Sequence, residues 1–100
     1  MKAKNLADLY DLPLVEWDRI ERRLAQGIGQ APGTGGPNRH TCWLTTLNAD
    51  GSPHVAGVGA VWRDGAFWFQ TGPGTRKGRN LERDPRCALS VATHELTALA

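Results

Sequence analysis

One hundred residues, 40% apolar and 22% charged, make one small domain that can bury a core but not a large one. A net charge of +2 is too small to imply a nucleic-acid partner, and no segment approaches the apolar length needed to span a membrane. The first eleven residues lack the apolar run of a secretory signal, so the chain is read as cytoplasmic.

Residues 12–25 place Leu14, Trp17, Ile20 and Leu24 at three- and four-residue spacing, with Glu16, Arg19, Arg22 and Arg23 elsewhere on the wheel. This predicts an N-terminal amphipathic helix capped by Asp11, with Pro13 in its first turn and Gly27 at its end. A short helical turn is also expected over Asn5–Tyr10. Residues 27–39 then hold five Gly and two Pro in thirteen positions, the composition of a flexible connector. Gly27 and Gly29 do not make a dinucleotide fingerprint, because a helix precedes them where a strand is required and Pro32 interrupts. The boundary between the N-terminal helix with its connector (1–39) and the main unit (40–100) falls here.

From Thr41 the period changes. Thr41–Leu47 reads as a strand, the turn at Asp50-Gly51 leads into an extended segment His54–Trp62, and Arg63-Asp64-Gly65 turns the chain into a third strand, Ala66–Thr71. A short helix over Lys77–Arg83, stopped by Pro85, precedes a fourth strand, Arg86–Thr93. The expected class is mainly β with α, an antiparallel meander. Most of the four Trp and two Phe fall in 43–69, which marks the core; Trp43, Trp62 and Trp68 read as core or dimer contacts rather than a stacking box. Gly57 and Gly59 share one face of the second strand and admit two readings, a bend in the sheet or a platform for a flat ligand.

The segment Gln70–Arg86 carries the chemistry. An aromatic strand runs into Thr71-Gly72-Pro73-Gly74-Thr75, and this turn opens a basic helix. Such a turn makes an anion site, because glycines let backbone N–H groups converge, the helix start adds partial positive charge, and Arg76 and Lys77 add full charges. Residues 76–86 hold Arg76, Lys77, Arg79, Arg83 and Arg86 against Glu82 and Asp84, and the two acids break the stripe that nucleic-acid binding would need. Arg76 and Arg79 also fit as solvated helix charges, and Thr71 as a strand-end hydroxyl.

The histidines, His40, His54 and His94, are scattered without a partner carboxylate at triad or metal spacing, so no catalytic side chain and no metal site is expected. Cys42 and Cys87 stand singly in strand-like stretches without CxxC spacing and are expected to be buried reduced thiols.

The order of Asp50-Gly-x-Pro53, the glycine-bearing strand, Arg63-Asp-Gly, Phe67-Trp-Phe69 and Thr71 through Arg86 resembles the pyridoxamine 5′-phosphate oxidase-like split-barrel family, whose members bind FMN or its deazaflavin relative. The resemblance covers residues 40–95, and Lys77-x-x-Asn80-Leu-x-x-Asp84-Pro85 is its most specific part. It implies that 40–100 is the N-terminal part of a flavin-binding split barrel, incomplete as a barrel because relatives continue with further strands. It implies FMN, or alternatively the deazaflavin coenzyme, with its phosphate held by Thr71, Arg76 and above all Lys77. The ring is implied to lie along Val55, Gly57, Val58 and Gly59, while Asn80 and Asp84 hold the turn and helix. A small-molecule substrate and a homodimer with the cofactor at its interface are implied too. Chemistry of this kind belongs to the cofactor and needs no side-chain nucleophile. Two functions follow as expectations: a flavin- or deazaflavin-dependent oxidoreductase domain, or a flavin-binding carrier, sensor or fragment without turnover.

Overall fold

A computed structural model of the chain describes residues 4, 9–11, 15–27 and 41–91. They form α1 (Trp17–Ala25), β1 (Cys42–Leu47), β2 (Pro53–Val58), β3 (Val61–Arg63), β4 (Ala66–Trp68), α2 (Arg76–Arg83) and β5 (Cys87–Val91). β1 is the centre of a three-stranded antiparallel sheet in the order β2-β1-β5, and β3 and β4 form a separate antiparallel pair. This is a mainly β structure with two helices and no closed barrel among the described residues, consistent with a partial split barrel.

The helix expected over 12–25 begins later, at Trp17. Glu16 is its N-cap, in extended backbone, and its carbonyl accepts from the N–H of Arg19 and of Ile20; Asp11 instead sits in left-handed backbone at φ 55°. Gly27 ends the helix as expected, at φ 88° with its N–H on the Leu24 carbonyl, a conformation glycine adopts without penalty. Leu9 and Tyr10 make one 3₁₀ turn; Asn5, Pro13, Leu14, the connector from 28 to 40 and His94 lie outside the described residues.

The expected three-strand meander is divided into two hairpins. β2 stops at Val58, the chain breaks over Gly59 and the buried Ala60, and β3 pairs with β4 alone while β5 takes the free edge of β1. Gly59 therefore supplies the bend. The Asp64-Gly65 turn holds both residues at positive φ, 53° and 75°, the geometry that lets two residues join right-twisted strands. The third and fourth strands are shorter than expected, ending at Trp68 and spanning Cys87–Val91.

Alternation along β1 buries Cys42, Leu44 and Thr46 on one face and exposes Trp43 on the other. The β3–β4 pair packs through Trp62, whose ring meets Phe67 edge-on at 4.9 Å and Trp17 of α1 at 5.9 Å. Trp62 is thus a packing residue, whereas Trp43 and Trp68 are 49% and 57% exposed. The thiols divide as well. Cys42 is fully buried and burial pushes its pKa up, but Cys87 is exposed, because β5 is an edge strand and Cys87 its first residue.

Candidate functional site

The basic turn is organised by Thr75, a residue the sequence reading did not single out. Its backbone is extended and it caps α2: its Oγ1 accepts from the Gly78 N–H at 3.1 Å and donates to the Gly72 carbonyl at 2.7 Å. Oγ1 of Thr71 lies 3.0 Å from that of Thr75, and since Thr75 has given its proton to Gly72, Thr71 is the donor of this pair. The hydroxyl of Thr71 is therefore spent on the turn. A threonine just before a basic helical run is the N-cap signal that would have identified Thr75.

Gly78 gives the turn its closeness. A Cβ there would stand 2.3 Å from the Gly72 carbonyl oxygen, so only glycine allows the strand-to-helix turn to fold back onto the first turn of α2. Within the helix, the N–H groups of Arg76 and Lys77 have no preceding carbonyl to meet, while that of Gly78 is capped by Thr75 and that of Arg79 reaches the Thr75 carbonyl at 3.0 Å. The donors left at this end are two adjacent N–H groups carrying a guanidinium and an ammonium. Arg76 and Arg79 are exposed and Lys77 is half-buried.

Asn80 points the other way, into the protein. It is 2% exposed; its Nδ2 donates to Thr46 Oγ1 and to Asn48 Oδ1, each at 3.0 Å, and its Oδ1 accepts from Arg83 at 3.2 Å. Arg83 also donates to the Leu47 carbonyl, so α2 is fastened to the end of β1 by two side chains three residues apart. The β1–β2 turn is fastened in the same place: Asn48 Nδ2 donates to Ser52 Oγ at 3.1 Å, and Ser52 donates through both Oγ and N–H to Asp50 Oδ1. These bonds hold the Asp50 carboxyl below its ordinary range, the Ser52 side chain first and its N–H second, with a smaller contribution from the positive charge of Arg76. Asp84, just past α2, takes three bonds from the Arg86 guanidinium and one from its N–H, and its pKa falls to about 2. Asn80 and Asp84 both hold local structure in the described geometry.

The β2 residues divide between two faces. By register, Val55 and Gly57 share the exposed face with Thr45 and Trp43, whereas Val58 faces the same way as the buried Cys42. Space at Gly57 is bounded by Trp43: a Cβ there would meet the indole at 3.6 Å and the Thr41 methyl at 3.3 Å. At Gly59 a Cβ would meet nothing within 4 Å. Thr71, Arg76 and Lys77 are thus gathered at one turn and Asn80 lies behind it, whereas Val55 and Gly57 lie on the sheet face opposite Thr46, the face to which α2 is bonded, and Gly59 lies in the bend past β2. His54 contributes no second polar partner; its Nδ1 is buried without a hydrogen bond. Among the described residues no three His, Cys, Asp or Glu side chains are grouped to hold a metal ion. No helix among them is long and apolar enough to cross a membrane.

Residues 36–98 match the family model described as pyridoxamine 5′-phosphate oxidase. The chain belongs to this family. The matched stretch spans β1 through β5 and includes the whole basic turn. The family is generally one of flavin-binding oxidoreductase domains. No curated protein and no solved structure gives a significant match to the chain.

Proposed function

We propose that the protein is an oxidoreductase domain that holds the phosphate of FMN, or of the deazaflavin coenzyme, at the turn Thr71–Gly78 and works on a small organic substrate. The observation that carries this reading is the start of α2. Gly78 admits the carbonyl of Gly72, Thr75 absorbs the Gly78 N–H, and the two N–H groups before it, those of Arg76 and Lys77 themselves, stay open. That donor set suits a phosphate dianion in geometry and in charge. Lys77, half-buried, acts as the point charge; Arg76 shares its field with Asp50; Thr71 acts on the phosphate through Thr75, by keeping the cap in place. The exposed face of Val55 and Gly57, bordered by the Trp43 indole, and the open Gly59 in the bend past β2 offer backbone to a flat ring.

When bound, a flavin supplies hydride or electron-pair transfer at its central ring. The chain's own part is to bind the phosphate, to orient the ring on β2 and to exclude water. A homodimer completes the reading: the face with Trp43 and Val55, 49% and 55% exposed, is an apolar surface on a sheet whose edge strands among the described residues are β2 and β5, and a second copy would cover it.

Titration of the purified protein with FMN and with the deazaflavin, followed by fluorescence, tests the binding half. Saturable binding at tens of micromolar or below is expected for at least one of them, and its absence for both removes the reading. Reduction of quinones, enones or dyes then separates an oxidoreductase from a carrier, and sedimentation at micromolar concentration tests the dimer.

A further inference from the structure

We infer that Asn48 is a positioning residue for the phosphate turn, setting the placement of α2 from the β1–β2 turn through its bond to Asn80. The inference rests on the phosphate reading above for its functional consequence but on geometry alone for its mechanism. Every polar group of Asn48 is committed. Its N–H reaches the Ser52 carbonyl at 2.9 Å, its carbonyl accepts from the Gly51 N–H at 2.9 Å, its Nδ2 holds Ser52 Oγ at 3.1 Å, and its Oδ1 receives Asn80 at 3.0 Å. Three of these bonds close the turn on itself; the fourth leaves it for a residue thirty-two positions away.

The donor, Asn80, is the one fully buried polar residue of α2. The Asn80 amide has two N–H groups, one on Thr46 and one on Asn48, and both acceptors belong to the β1 end of the sheet. Removing the Asn48 oxygen leaves one N–H of the buried Asn80 amide unpaired, a state that costs more than the net worth of the bond. The helix then relieves the cost by shifting or fraying. Lys77 and Gly78 lie within one turn of Asn80 on the same eight-residue helix, so that displacement moves the ammonium and the open N–H groups together. Binding at a preorganised charged site falls steeply with small displacements.

The experiment compares the parent with Asn48→Ala and Asn48→Asp, the latter keeping an oxygen for Asn80. Two readouts are taken: amide hydrogen exchange in the free protein, and the preference for FMN over riboflavin, which lacks the phosphate. Asn48→Ala is expected to speed exchange at Gly78 and Arg79 about tenfold with the Leu44 amide unchanged, and to cut the FMN preference three- to tenfold at constant riboflavin affinity. Asn48→Asp is expected to restore most of both. Unchanged exchange at Gly78 and Arg79 overturns the inference whatever flavin does. Equal loss of FMN and riboflavin affinity also overturns it, since the residue then serves the fold at large. Failure of the phosphate reading shows differently: the parent itself binds riboflavin as tightly as FMN, and the exchange readout still decides whether Asn48 places the helix.

Discussion

The carbonyl oxygen of Gly72 occupies the place where a side chain on Gly78 would begin, 2.3 Å from the Cβ that any other residue would carry. Glycine inside a helix ordinarily weakens it by about 0.5–1 kcal/mol relative to alanine, so on helix propensity alone Gly78→Ala should stabilise α2. The contact reverses the sign. The obstacle is backbone, which cannot rotate aside, and overpacking of this kind costs about 1–3 kcal/mol. Gly78→Ala is therefore expected to lower the chemical-denaturation midpoint and to weaken FMN binding; a midpoint equal to or above the parent's would show that the turn is not closed as described.

Lys77→Ala is expected to cost about 1.5–3 kcal/mol of cofactor affinity, or roughly ten- to hundredfold, the range for hydrogen bonds to charged groups. Arg79→Ala, which removes an exposed charge one residue beyond the capped N–H of Gly78, should cost much less. Titrating FMN or the deazaflavin into both variants checks this. Wild-type affinity in Lys77→Ala would move the phosphate away from this turn.

The Asp84–Arg86 pair makes stability depend on pH in one direction. The carboxyl's pKa in the folded chain is about 2, below the roughly 3.9 of an unfolded aspartate, so its contribution is complete above pH 4 and is lost as pH falls from 4 through 2. Asp84→Asn should thus be less stable than the parent at pH 6, and the gap should close as the pH approaches 2. Denaturation midpoints at pH 6, 4, 3 and 2 measure it. A gap that stays constant over that range would mean the pair is not linked to folding.

The two thiols should be distinguishable by a disulfide-exchange reagent. Cys87 is exposed and Cys42 is fully buried with its thiolate disfavoured, so one thiol per chain should react in the native protein and both in denaturant. Mass mapping should place the fast label on Cys87. Rapid labelling of Cys42 would contradict its placement in the centre of the sheet.

The strand-to-helix turn was legible from residues alone, since Gly72, Gly74, Arg76 and Lys77 mark a segment of backbone freedom and positive charge; the phosphate assigned to it is the proposal above. The helix positions were legible too, because Trp17, Ile20 and Leu24 obey a period and Gly27 and Pro85 punctuate. Strand pairing was not. Local pattern makes Pro53–Arg63 look like one long strand, and only the tertiary arrangement shows that Gly59 and Ala60 break it and that β1 takes β5 as its second neighbour. Nor does sequence show that Asn80 is buried against Thr46 and Asn48, a contact across thirty-four and thirty-two positions that no periodicity encodes. The exposure of Cys87 was hidden for the same reason: an apolar stretch looks identical at the middle and at the edge of a sheet.

The two ladders on β1 close over very different spans. Leu47 meets Pro53 across a tight turn, whereas Thr46 meets Cys87 only after forty-one further residues have been made. Loop-closure entropy grows slowly, about 0.6 kcal/mol per doubling, yet a long loop must form before its contacts repay it. A nascent chain can therefore zip β1 to β2 early and must carry β1 with one bare flank until α2 has passed. Among the described strands, loop closure thus favours the β1–β2 hairpin forming before the strand Cys87–Val91 joins it.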